Sequence, residues 1–336
     1  MDLIIDRRKN WCAHVSNDAV VEFERAIQSS NLVGTIPILG WDFARRLVWR
    51  ALRTVLKGAT PSLRLTDDCF AILMGHGAIS KCLPRFLCAR RRYLYCFDAW
   101  PAWHDYFELI GRTLGIDGMF FSSLGATEAF RRRKVRFPVA WIPEGIHVPE
   151  YRYLPYNRKD IDVLQFGRKY QWYHETIAGP LQQAGRFYLH DKGELVFPTR
   201  DKFIEGMART KVSICIPPNI TNPSRAGSIS TMTVRYLQSM ASKCLIVGMM
   251  PDEMRKLFSY TPIVEIDMAR PVDQLLEVLD RYDEYIPLIE RNYQELITNH
   301  SWSTRWHEIN SILGNWELSR QGKPTEEHAP FWVPAH

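Results

Sequence analysis

The chain has no run of about 18 apolar residues, the length a helix needs to cross a bilayer, so no transmembrane segment is expected. Its opening stretch, MDLIIDRRKNW, holds too short an apolar run for a signal peptide, and the cytoplasm is the expected location. Cys-x-x-Cys pairs are also absent. The seven cysteines are odd in number, and most fall in apolar, strand-like runs. That pattern reads as buried reduced thiols rather than disulfides or a zinc site. No Gly-x-Gly-x-x-Gly follows a strand with an acidic residue about 20 positions later, and Gly75-His76-Gly77 alone is too little. A nicotinamide dehydrogenase is therefore disfavoured. The arginine runs lack interleaved aromatics on a recognisable platform, so no nucleic-acid partner is expected.

What is present is globular. The 336 residues are 46% hydrophobic and 24% charged, enough for two α/β domains of ordinary size. Charge is uneven. Residues 1–155 hold 22 Lys and Arg against 15 Asp and Glu, while the remainder is nearly balanced at 21 against 22. The basic segment WDFARRLVWRALRTVLKG (41–58) has an amphipathic helical pattern. It could lie on an anionic membrane surface or pack on a sheet, and the pattern leaves both open. RRR (90–92) and RRRKVR (131–136) add to the positive field.

Strand and helix patterns alternate along the chain. LIID (3–6), CFAILMG (69–75), RYLYCFD (92–98), GMFFSS (118–123) and PVAWIP (138–143) read as strands. Residues 16–29, 41–57 and 101–115 read as helices between them. Residues 143–159 hold three prolines, lack a helical period and read as a linker. The alternation then restarts with IDVLQFG (161–167), RFYLH (186–190), VSICIP (212–217) and IVEID (263–267), with helices at 171–184, 199–209 and 271–315. Two such arrays predict an α/β protein with two Rossmann-like, doubly wound domains facing across a cleft. The expected bounds are 1–150, 151–315 and a tail, 316–336. The most informative segment is RAGSISTMTVRYLQSMASKCLIVG (225–248). Ser228, Ser230, Thr231 and Thr233 are expected in the first turn of a helix, where unpaired N–H groups and the helix dipole favour a phosphate. The strand Leu245–Val247 follows.

Several motifs then converge on a resemblance. IDVLQFGRKYQ (161–171), VRYLQSMASKCLIVG (234–248), WIPEGIHVPEY (141–151) and NHSWSTRWHEINSIL (299–313) stand in the order found in group-1 GT-B glycosyltransferases, and together the chain resembles that family. The resemblance implies a sugar transferred from a nucleotide-diphosphate sugar to a glycan, a lipid-linked or a small-molecule acceptor. It implies no cofactor and no metal, and a final helix that crosses back to the first domain. By the same resemblance Arg168, Lys169, Ser230, Thr231 and Arg235 would hold the donor diphosphate, with Ser228 and Gln238 at the ribose and sugar. The chain departs from the family at its paired glutamates, whose positions fall at Ser230 and Gln238, and at Lys243, where glycine is usual. A non-catalytic binding protein and a nucleotide-sugar epimerase are the competing readings.

Other candidates come from the residues themselves. Arg168 follows the first strand of the second domain, the edge at which ligands bind in doubly wound sheets. His76, between two glycines, and Asp98, after the strand at 92–97, are candidates for the base that takes the acceptor's proton. Trp100 and Trp103 could stack on a sugar ring, or serve as packing groups. Glu144 and His147 stand in the linker near the expected cleft. Asp160-Ile161-Asp162 spells a metal-binding DxD pattern, but it precedes a strand rather than ending one.

Overall fold

The computed structural model describes residues 2–5, 18–28, 34–36, 47–48, 50–51, 66–74, 79–191 and 193–322. His76 lies outside these, as does nearly all of the basic segment 41–58. Two parallel sheets account for every strand among the described residues. The first joins β1 (Asp2–Ile5), β2 (Gly34–Ile36), β3 (Cys69–Met74), β4 (Arg92–Phe97), β5 (Gly118–Phe121) and β6 (Val139–Trp141) in the order β2-β1-β3-β4-β5-β6. The second joins β7 (Ile161–Gln165), β8 (Tyr188–His190), β9 (Thr210–Cys215), β10 (Leu245–Gly248) and β11 (Val264–Glu265) in the order β11-β10-β9-β7-β8. Counted from its own first strand, each sheet begins 2-1-3-4-5. This is a doubly wound order whose direction reverses beside the first strand. In the second sheet the reversal lies between β7 and β9, so a crevice opens beyond their carboxyl ends.

Apolar alternation builds the first domain on both faces of its sheet. Ala71, Leu73, Leu94, Cys96 and Phe121 point to one side, against Phe86, Phe107, Leu114 and Phe130 from the helices Ile79–Cys88, His104–Leu114 and Leu124–Arg132. Phe70, Ile72, Tyr93, Tyr95 and Phe120 point to the other. There they meet Phe23 of helix Asp18–Gln28 and Trp302, Trp306, Ile309 and Leu313 of the last helix, Trp302–Arg320. The chain's end thus completes the core of its first domain, as the crossing helix requires. Trp302 is fully buried and stacks on Phe23 at 4.4 Å between ring centroids. The helix runs past residue 315, where the tail was expected to begin. Trp316 stacks on Phe120 at 4.9 Å, and Arg320 bonds the Asp117 carbonyl.

The second crossing is the expected linker. Residues 142–160 form no strand and make two short 3-10 turns, Val148–Glu150 and Tyr156–Arg158. It runs beside the start of the last helix, with Ile146 N–H bonding the His300 carbonyl at 3.1 Å and Trp302 N–H bonding the Ile146 carbonyl at 3.2 Å. Among the described residues no helix is long and apolar enough to cross a membrane.

One glycine of the second sheet has no tolerance for a side chain. A Cβ at Gly248, the last residue of β10, would stand 1.9 Å from the Cys215 carbonyl oxygen of neighbouring β9. Both atoms are on backbone, so a flexible side chain cannot yield. Gly248→Ala is expected to lower stability by about 3 kcal/mol or more, beyond the usual range for point substitutions. A urea midpoint equal to the parent's would refute this.

A cleft lined by arginines and carboxyl groups

The site forms where the second sheet's switch point faces the first sheet's strand ends. β7 ends in the turn Phe166-Gly167-Arg168. Gly167 has φ +74°, a conformation that costs a side chain energy. Arg235, on helix Val234–Ala241, fixes this turn from behind: its Nη1 donates to the carbonyls of Phe166 at 3.2 Å and Arg168 at 3.4 Å. Arg235 therefore positions the turn. The Arg168 side chain is exposed and within electrostatic reach of Asp98 across the cleft.

Asp98 ends β4 with φ +51°, a strained value for a residue other than glycine, and strain of this kind gathers at ligand sites. Burial raises the pKa of its carboxyl, while Arg225 and Arg168 pull it back down. Arg225 also stands over the Trp100 ring, 5.9 Å from its centroid. Burial and the neighbouring Arg235 and Arg225 weaken the proton affinity of Arg168, and Asp98 opposes this. Arg168 and Arg225 of the second domain are thus close enough for their charge to act on this carboxyl of the first.

Beside Asp98 is a small cavity of about 20 Å³, room for about one water. Trp100, Ser123 and Glu144 of the first domain and Ile229, Thr231 and Thr233 of the second line it. Glu144 is 9% exposed. Burial, then the nearby Asp98 and Glu253, push its pKa up to about 8, against hydrogen bonding from the Val234 N–H and the charge of Arg235. Glu253 is 2% exposed, and burial likewise pushes it up to about 8, although the N–H groups of Leu124 and Met232 bond it. Carboxyls perturbed by burial and by one another in a cleft are candidates for a functional site.

The structure moves several expected site residues. Helix Val234–Ala241 starts after the hydroxyl run rather than within it, so Ser228, Ser230, Thr231 and Thr233 belong to an extended loop. Thr231 Oγ1 donates to Ser123 Oγ at 2.6 Å, and that interdomain bond keeps the loop out of the helix. Gln238 does not reach the cleft. It is 2% exposed and donates to the Tyr151 hydroxyl at 3.2 Å, because its helix turns that face inward. His147 pairs with Glu150 at 3.0 Å, and its N–H bonds Glu22 at 2.8 Å. It therefore belongs to a partly buried network in which Arg200 joins Glu22 and Glu150. Lys169 is tied to the Asp191 carbonyl at the end of β8. Trp103 packs on the first domain's core and Trp100 is 5% exposed, so neither offers an open ring face. Asp160 and Asp162, at the start of β7, pair with Arg209 and Lys211 at 2.7 and 2.8 Å, at the sheet edge away from the cleft.

The sequence motifs did not single out Ser123, Arg225 or Glu253. Ser123 had a signal, since it follows β5 and caps the next helix. Glu253 had none, because its partners lie in other elements.

Two doubly wound parallel sheets facing across this cleft, with the last helix returned to the first domain, define the fold of the GT-B glycosyltransferases. HepE from Anabaena, solved with UDP-glucose, matches with a TM-score of 0.58 at 10% identity, over 93% of this chain and 99% of that one. A DNA-modifying β-glucosyltransferase matches with 0.58 at 12%, over 93% and 99%. Sucrose-phosphate synthase from Thermosynechococcus elongatus matches with 0.56 at 10%, over 95% and 99%. No family model matches the chain, and no curated protein matches it in sequence.

Proposed function

We propose that this chain is a glycosyltransferase that takes a nucleoside-diphosphate sugar as donor. The observation that carries the reading is the placement of Arg168, after the Gly167 turn that ends β7, and of Asp98, strained at φ +51° after β4, at strand ends on the two sides of the cleft. The fold's solved representatives include enzymes captured with UDP and UDP-glucose, which supports the same donor class. In the reaction the acceptor hydroxyl bonds the anomeric carbon while that carbon's bond to the diphosphate breaks. The electron pair leaves on the diphosphate, and charge-assisted hydrogen bonds from Arg168 and Arg225 stabilise it without a metal. Asp98 takes the acceptor's proton. The loop Ser228–Thr233 and the first N–H groups of helix Val234–Ala241 supply further donors to phosphate. A glycan or lipid-linked saccharide is the proposed acceptor. Exposed Arg131, Arg132 and Lys134 favour approach to an anionic, cytoplasmic membrane face.

Calorimetry with UDP, GDP, dTDP and CDP, each with EDTA and with Mg²⁺, tests the donor site. One nucleotide is expected to bind selectively and equally in both conditions. Its sugar conjugates are then assayed on free and lipid-linked acceptors, with and without anionic vesicles. Absence of binding by all four nucleotides would remove the enzyme reading and favour a non-catalytic protein.

A further inference from the structure

Glu253 joins the two domains through one buried carboxyl group. It stands just before the short helix Met254–Leu257 of the second domain. Its Oε2 accepts the Leu124 N–H at 2.9 Å, and Leu124 is the first residue of helix Leu124–Arg132 in the first domain. Its Oε1 accepts the Met232 N–H, inside the loop Ser228–Thr233. The same seam holds the Thr231–Ser123 bond and an ion pair of Lys256 with Glu128 at 3.9 Å. Ile229 fills the space over Gly125, where a Cβ would stand 3.1 Å from its Cγ2. A buried N–H left without an acceptor is costly. The loop and the helix end bond the two oxygens of one carboxyl group, so ordering either one favours the carboxyl position that satisfies the other.

We propose that Glu253 is a positioning residue that couples the shape of the loop Ser228–Thr233 to the N-terminus of helix Leu124–Arg132, so that a nucleotide held by the second domain orders the first. This rests on the reading of the cleft as a donor site. Without nucleotide the clasp opens and recloses. With nucleotide the loop is pinned, the carboxyl stays at Met232, and Leu124 stays bonded.

Hydrogen exchange of the full chain, read in peptides covering 123–127 and 228–233, tests this. The probe is the nucleoside diphosphate that binds in calorimetry. In the parent it is expected to slow exchange in both peptides, by about tenfold at the Leu124 amide. In Glu253→Gln, whose amide NH2 cannot accept an N–H as a carboxyl oxygen does, only the loop peptide is expected to slow. Ser123→Ala, which removes the Thr231 bond and leaves Glu253, is expected to keep the transfer. The proposal is overturned if nucleotide leaves 123–127 unchanged in the parent, a result that needs no variant to fold. Equal slowing of 123–127 in Glu253→Gln overturns it as well. So does loss of the transfer in Ser123→Ala as complete as in Glu253→Gln. A parent chain that binds no nucleoside diphosphate overturns the donor-site reading, and this proposal with it.

Discussion

Between pH 6.5 and 8 the protein is expected to lose stability as the pH rises. Glu144 and Glu253 have their pKa values pushed from 4.5 up to about 8 by burial. In the unfolded chain both are ionised through this window, whereas in the folded chain they hold their protons until about pH 8. The unfolded state therefore binds fewer protons, and stability falls with pH. Each such group contributes about 1.4 kcal/mol per pH unit while it stays protonated only in the native state, so the pair accounts for roughly 3 kcal/mol between pH 6.5 and 8. Burial raises Asp98, Glu22 and Glu308 in the same direction, against the arginines that face them. Buried His300, held well below its ordinary value, acts oppositely but only below about pH 6.5. The lowered carboxyls Asp68 and Glu150 lose their stabilising effect only in acid. Urea unfolding at three pH values across the window checks the slope. Glu144→Gln with Glu253→Gln should flatten it, whatever the lost acceptor at Glu253 costs at every pH. An unchanged slope in that double variant would place the origin elsewhere.

The large elements were legible because their causes are local. Cys69–Met74 is apolar along its whole length and Arg92–Phe97 is so after its first residue, as strands buried on both faces require. β2 was missed because three residues, Gly34–Ile36, are too few to show a period. Helix Trp302–Arg320 outran its expected end because the Trp316 ring rests on Phe120, nearly 200 positions earlier in the chain. The site was legible in part, and for the same reason. Arg168 and Asp98 do follow β7 and β4, and each strand end follows from its own pattern. The hydroxyl loop was misread as a helical turn because what holds it is remote: Thr231 bonds Ser123 and the Met232 N–H bonds Glu253. Gln238 was assigned outward by a motif's spacing, whereas the packing of Tyr151 against Glu22 turns it inward. Patterns within one element report its existence and its ends. They do not report which partner from another element satisfies a given polar group.

Substitutions at Arg168 and Asp98 are expected to move nucleotide affinity in opposite directions. Without ligand, Asp98 is the anion that the two guanidinium groups face, and a donor diphosphate takes over that role. Arg168→Ala removes a charge-assisted partner of the phosphate. Hydrogen bonds to charged groups contribute about 1.5–3 kcal/mol, so the nucleotide dissociation constant should rise roughly 10- to 100-fold. Asp98→Asn keeps the shape and removes the competing charge, so the dissociation constant should fall by about threefold to tenfold, within the range for partly screened pairs. Transfer should nonetheless drop by at least about a hundredfold in Asp98→Asn, because the amide cannot take the acceptor's proton. Calorimetry on the two variants checks the binding signs, and a transfer assay with the matched donor checks the rate. Weaker nucleotide binding in both variants would mean that Asp98 organises the arginines rather than competing for them. Tighter binding together with undiminished transfer would leave the base to be sought elsewhere. Opposite signs in binding with loss of transfer in both would show that this cleft uses one carboxylate twice, first to hold the cations in place of substrate and then to accept the proton that substrate gives up.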